Sequence, residues 1–414
     1  MNYFIKNIHV NKVFHLENFD IPIADAKYPH LIITGKNGSG KTILLNAVTN
    51  FLDEIKQDYG YRFWGFEQWV KEYDKELETA KSKREINDIE NQKTLLRDYY
   101  HKLHEKVGLS FADVKEMMDK YRTGDFILAC YGALRMPQII EPKNPTKPIL
   151  LRKNKIKETA TDQFLRFLSD LKIQEALARN ENQMKDANEI GTWFREFENL
   201  MRQLFQDNEL KIDFNYKDYS FHICSEGKTF RFTEMSDGFA AVLEIVADLI
   251  LKMQDDNSLT RAYEKEGIVL IDEIETHLHL GLQKVIMPLL TKVFPNIQFI
   301  VTTHSPFVLS SMENAVAFDL EHQEAIEDLT DYSYSSLAEG YFGVRTESNT
   351  VRMRLNELAT LLSKEELSSS EQLDVKLLVD ELEKIPEPAL PSVVGEYLQL
   401  KLKYVDRIKS ILAI

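Results

Sequence analysis

Cysteine is scarce: the 414 residues hold only Cys130 and Cys224. They stand far apart without metal-ligand spacing, which excludes a disulfide framework and a thiolate metal site and suits a reducing compartment, the cytoplasm. Long apolar runs are missing too. The longest, Phe239 to Leu251, is interrupted by Glu244 and Asp248 and is too short to cross a bilayer. The opening MNYFIKNIHVNKVF lacks the charged, apolar and small-residue order of a secretory leader, so no membrane role is expected. There is no internal repeat and no low-complexity tract. Positive charge is in deficit, with 51 Lys and Arg against 66 Asp and Glu and a net charge of −15. That balance argues against a protein that coats nucleic acid, and any DNA or RNA contact would need a local basic surface.

What is present is the composition of a folded chain, 43% hydrophobic and 28% charged, long enough for one large α/β domain and an accessory region. Near the start an apolar strand, HLIIT, runs into Gly35-Lys36-Asn37-Gly38-Ser39-Gly40-Lys41-Thr42 and then a helix. This fits the phosphate-loop pattern GxxxxGK(S/T) in its strand-turn-helix context. Backbone amides of a loop built on Gly35, Asn37, Gly38, Ser39 and Gly40 can close around phosphate oxygens. Lys41 adds positive charge at the β- and γ-phosphates of ATP, and the Thr42 hydroxyl can bind Mg2+.

Two further strands carry chemistry at their ends. The run GIVLI ends in Asp272 and Glu273, as a strand buried on both faces of a parallel sheet does. Ligands of open α/β sheets bind at that edge, so Asp272 can help hold magnesium and Glu273 can polarise the attacking water. The run IQFIVTT ends at His304, placed to sense a γ-phosphate. Between the phosphate loop and these strands, Ser236-Asp237-Gly238 opens an apolar helix. A serine hydroxyl, a glycine amide and a helix N-terminus form an anion site, although an N-cap alone would read the same way.

The phosphate loop, the SDG signature, IDEIETHLH and TTHSP, in this order, resemble the ABC ATPase class, and within it the RecF-like and overcoming-lysogenization-defect-like ATPases. The resemblance covers about residues 1–310. It implies an α/β ATPase head, a mixed sheet with a phosphate loop and an antiparallel N-terminal β subdomain, carrying helical insertions at about 65–120 and 160–207, with a helical C-terminal region over 311–414. It further implies a head-to-tail homodimer, or a higher homo-oligomer, around ATP: Ser236 and Gly238 act in trans, while Lys41, Thr42, Asp272, Glu273 and His304 act in cis.

Three departures stand out. The chain reads Asp272-Glu273-Ile274-Glu275 where such relatives often read DEPE. The glutamine that usually follows the second core strand has no clear counterpart among Gln57, Gln68 and Gln138. No acidic pattern of the topoisomerase-primase type follows His304. The tail reads as helices over about 350–363, 370–385 and 392–412, the last with Val394, Leu398, Val405, Ile408 and Leu412 on one side, a stripe that suits core packing more than a partner-binding face.

The expected function is a slowly hydrolysing ATPase that senses or regulates in a bacterial antiphage system, resembling Septu-like and retron-associated ATPases, with a nuclease or toxin effector on another chain. The alternative is a RecF-like repair ATPase. It would bind DNA through a surface such as Lys143, Lys147, Arg152, Lys153, Lys155 and Lys157, a stretch that a solvated loop also explains.

Overall fold

Five consecutive buried residues, His30 to Thr34, form a strand covered on both faces, the environment that a run without polar alternation demands. In chain order the strands are β1 (Ile5–Val13), β2 (Leu16–Pro22), β3 (His30–Thr34), β4 (Val107–Phe111), β5 (Phe126–Tyr131), β6 (Lys211–Asn215), β7 (Ser220–Ser225), β8 (Lys228–Arg231), β9 (Glu266–Ile271), β10 (Ile297–Thr302), β11 (Ala315–Asp319) and β12 (Glu324–Ile326). The computed structural model describes residues 3–23, 30–57, 60–144, 146–149, 156–254, 264–326, 329, 332–342, 349–385 and 391–412. They divide into two units, residues 1–337 and 338–414.

The first unit is mixed α/β. Its central sheet has the order β12-β11-β3-β10-β9-β5 and is parallel except for β12. Register decides what this sheet can do. Ile33 pairs with Thr302, Val301 with Ile271, Tyr131 with Ile271, and Asp319 with Thr34. Strands β3, β5, β9, β10 and β11 therefore end level with one another, and the loops after them leave from one edge, where open α/β sheets bind ligands.

An antiparallel sheet, β2-β1-β4, covers the helix that follows the phosphate loop (Lys41–Gln57). That helix places Leu44, Leu45, Val48, Phe51, Leu52 and Ile55 at helical spacing on its buried side. The insertion expected at about 65–120 is in part strand. Its helical portion is a hairpin of Phe66–Thr79 and Lys83–His104, antiparallel because Phe66 stacks on Tyr100 at 3.9 Å and Asp74 pairs with Lys93. The chain then returns as β4 to complete the N-terminal sheet. Val107 to Phe111 is too short and too mixed to announce a strand without its partner β1.

On the other face of the central sheet lie the helices Phe164–Asn180 and Met184–Phe205 and the signature helix Asp237–Met253. The first two share an aromatic core that includes Phe164, Phe167, Trp193 and Phe197, and Phe239 of the signature helix stacks on Phe205. Residues 211–231 form a three-stranded antiparallel meander, β6-β7-β8.

The boundary expected at residue 310 is corrected: β11 and β12 lie beyond it and belong to the central sheet. The second unit is helical, with Asn349–Ser363, Ser369–Glu383, Pro391–Lys403 and Val405–Leu412 around Leu358, Leu362, Val375, Val379, Tyr397 and Ile408. The expected last helix is two helices, broken at Tyr404. Of the stripe read as core, Ile408 is buried but Leu398, Val405 and Leu412 are exposed: the first helix turns Val393 and Tyr397 inward, and the second Ile408 and Ile411. Among the described residues no helix is long and apolar enough to cross a membrane.

Candidate ATP site

The phosphate loop leaves β3 at Gly35 and enters its helix at Lys41. Gly38 has φ +83° with open space around it, so its left-handed backbone alone requires glycine. Gly35 is crowded as well as positive in φ (+139°): a Cβ there would lie 2.9 Å from the Ser39 hydroxyl. Lys36 is tied to Glu321, on the turn between β11 and β12, by a 2.6 Å ion pair. The Lys41 side chain folds back over the loop, and its Nζ donates to the carbonyls of Gly35 (2.8 Å) and Lys36 (3.0 Å). Burial lowers its pKa to about 8, against the opposing pull of Glu273, Glu275, Asp272 and Asp319.

Asp272 and Thr42 meet across the sheet edge. Oδ1 of Asp272 accepts hydrogen bonds from Oγ1 of Thr42 (3.1 Å) and Oγ1 of Thr302 (2.7 Å). A hydroxyl and a carboxylate converging in this way are hard oxygen donors, the set that Mg2+ takes alongside phosphate oxygens and water. No cluster of three or more His, Cys, Asp or Glu forms a metal cage among the described residues.

Glu273 adopts φ 42°, unusual for a residue with a side chain. Its N–H donates to Thr302 Oγ1 at 2.7 Å, so one threonine fixes both acids. Ile274 N–H donates to the Thr302 carbonyl at 3.1 Å, a bond that proline in its place could not make. Glu275 closes the arrangement by accepting from Thr303 Oγ1 (2.8 Å) and from the backbone N–H of His304 (2.5 Å), and burial raises its pKa. The His304 pKa is lowered, first by burial and then by the Lys41 charge.

Phe14, Asn37, Gly38, Gly40, Lys41, Thr42, Glu273 and His304 line one open cleft. The signature residues do not. Ser236 is the exposed N-cap of the signature helix and makes no side-chain cap bond. Gly238 packs against the His277 carbonyl, where a Cβ would stand 2.7 Å from the oxygen. Asp237 opens instead onto a second cleft with Arg135 and His277.

Of the glutamine candidates, Gln57 ends the phosphate-loop helix, Gln68 bonds Glu72 within the helical hairpin, and Gln138 follows β5. None of the three lines the cleft. Lys143 and Lys147 are exposed, Lys157 donates to Asn46 Oδ1 at 2.6 Å, and Arg152, Lys153 and Lys155 lie outside the described residues.

Sequence reading passed over Thr302, Glu275, Phe14 and Arg135. The threonine and glutamate were visible beside His304 and the DE pair. Phe14 sits in the β1–β2 turn with φ 59°, 68% exposed, and nothing in its local sequence signals a site. Buried Arg135 binds the backbone of the acid loop, four residues after β5.

Residues 133–310 match the family model described as "AAA domain, putative AbiEii toxin, Type IV TA system". The chain is 31% identical over 160 residues to the Septu protein PtuA of Bacillus mycoides, covering 36% of this chain and 22% of that one. It is 45% identical over 83 residues to the Retron Ec83 probable ATPase of Escherichia coli (20% and 15% covered), and 29% identical over 148 residues to the Retron Vc95 probable ATPase of Vibrio cholerae (35% and 29%). The matched stretches thus span less than a third of each of these relatives. Among solved structures, the Smc head domain bound to the C-terminal domain of ScpA from Pyrococcus furiosus aligns at 12% identity and a TM-score of 0.33, over 78% of this chain and 95% of that one. The signature, the two acids and His304 all lie within residues 133–310, the stretch that this family model matches.

Proposed function

We propose that the protein binds Mg-ATP between two copies of itself, hydrolyses it slowly, and acts in the cytoplasm as the sensor or regulator of an antiphage system whose effector is another chain. The observation that carries the two-copy arrangement is the separation within one chain: Ser236 and Gly238 sit apart from the open cleft that holds Lys41, Glu273 and His304. A helix N-terminus offered by a second copy supplies the anion donors that this open side lacks.

In this reading Lys41 exchanges its carbonyl partners for phosphate oxygens, and Thr42 and Asp272 hold Mg2+, which neutralises phosphate charge. Glu273 orients the attacking water and accepts its proton. Thr302 keeps the two acids at fixed spacing, and His304 faces the terminal phosphate. Phe14, largely exposed, offers its ring to the base. The defence role is supported by the likeness to the Septu protein and the retron ATPases.

The test is purification from the native operon with and without ATP, followed by mass spectrometry. A stoichiometric nuclease or toxin is the expected companion. DNA alone, released by salt, would replace the regulatory reading with the repair one.

A further inference from the structure

The loop after β5 reverses the usual order of burial. Leu134 and Met136 are 81% and 76% exposed, while Arg135 between them is 3% exposed. A buried guanidinium is tolerated only when its donors are matched, and those of Arg135 are spent mainly on one short stretch of backbone. Nη1 donates to the carbonyls of Gly132 (3.1 Å) and Asp272 (2.9 Å). Nη2 faces those of Glu273 (3.0 Å), Ile274 (3.0 Å) and, at greater length, Thr276 (3.3 Å).

Three consecutive carbonyls can point at one planar group only if the chain curls around it, and the curl coincides with the left-handed φ of Glu273. Arginine suits the task because its donors form a fixed fork, whereas a lysine ammonium cannot span the same carbonyls. On its far side, Nε of Arg135 is buried without a hydrogen-bond partner among the described residues, as is Oε2 of Glu244 on the signature helix. Glu244 lies two helical turns from Asp237, which borders the same cleft as Arg135.

We propose that Arg135 is a positioning residue for hydrolysis: it holds the backbone of Glu273 in the conformation that aims its carboxylate into the ATP cleft. The proposal rests on the reading of Glu273 as the base. Arg135 is absent from the lining of the phosphate-loop cleft, so its effect falls on the chemical step and not on nucleotide binding.

The test compares Mg-ATP affinity and single-turnover hydrolysis in full-length wild type, Arg135→Lys and Arg135→Gln, each alone and combined with Glu273→Gln. Arg135→Lys is expected to slow hydrolysis by about ten- to a hundredfold, the scale of a small misplacement of a reacting group, with ATP affinity within about twofold of wild type. It is expected to add nothing to Glu273→Gln, because it acts through that carboxylate. A wild-type rate in Arg135→Lys, a matching loss of ATP affinity, or losses that multiply in the double variant would each overturn the proposal. Should Arg135→Lys fail to melt cooperatively, Arg135→Gln carries the comparison, since its amide still donates to part of the loop; an unchanged rate there overturns the proposal. If Glu273→Gln itself hydrolyses like wild type, the reading of the site falls first, whatever Arg135 does.

Discussion

Two substitutions separate binding from chemistry at the phosphate loop. A hydrogen bond to a charged group is worth about 1.5–3 kcal/mol, so Lys41→Ala is expected to weaken ATP binding by about ten- to a hundredfold in an equilibrium titration. Glu273→Gln keeps shape and hydrogen bonding but cannot take a proton. It should leave ATP affinity intact and cut turnover by about a hundred- to ten-thousandfold; turnover at the wild-type rate would end the assignment of Glu273 as base. Phe14 is tested by its ligand. Stacking a base on an aromatic ring contributes about 1–3 kcal/mol and tolerates any base. Phe14→Ala should therefore weaken ATP and GTP alike by about fivefold or more and leave inorganic tripolyphosphate unaffected. An equal loss for tripolyphosphate would mean that the ring shapes the loop and does not touch the base.

At the scale of elements, the pairing of β3 with β10 contains a pH-sensitive joint. His30 is buried, its Nδ1 accepts from the Phe299 N–H at 3.2 Å, and burial lowers its pKa from 6.5 to about 4. The folded protein keeps it neutral where the unfolded chain would protonate it, so its contribution is full above pH 6.5 and is lost as pH falls toward 4. About 2 kcal/mol should disappear between pH 7 and pH 5. His30→Asn, which keeps an acceptor but has no titrating ring, should flatten that part of the acid limb in urea melts, and an unchanged slope would show that His30 is not its source. The same two strands mark what could be read from sequence. The unbroken apolar runs of β3, β9 and β10, each ending in polar residues, identified buried parallel strands and put Lys41, Asp272, Glu273 and His304 at strand ends. That these ends lie level is a matter of register, which no single strand encodes. Thr302 therefore reads as an ordinary strand residue, and no local pattern marks Arg135. Strands β4 and β12, at five and three residues, carry too little pattern to be seen without the neighbours they pair with.

Over the whole molecule, the separation of signature and phosphate loop turns a question of assembly into one of arithmetic. Lys41→Ala disables the cleft of the copy that carries it. Ser236→Arg, on an exposed N-cap that forms no side-chain bond in its own helix, disables the cleft of the other copy if the site is shared. Each variant alone should be inactive. In an equal mixture with free exchange, half of the dimers pair one variant with the other, and each such dimer holds one cleft with an intact phosphate loop facing an intact signature. Activity should return to about a quarter of the wild-type rate under closed two-fold pairing with independent clefts. Gly238 is the wrong choice for this test, because a side chain there collides with the His277 carbonyl inside the same chain and would confound folding with sharing. If the mixture stays as inactive as its components while light scattering shows that they exchange, the two residues act in one chain and the shared site is excluded; recovery places Ser236 across the interface from Lys41.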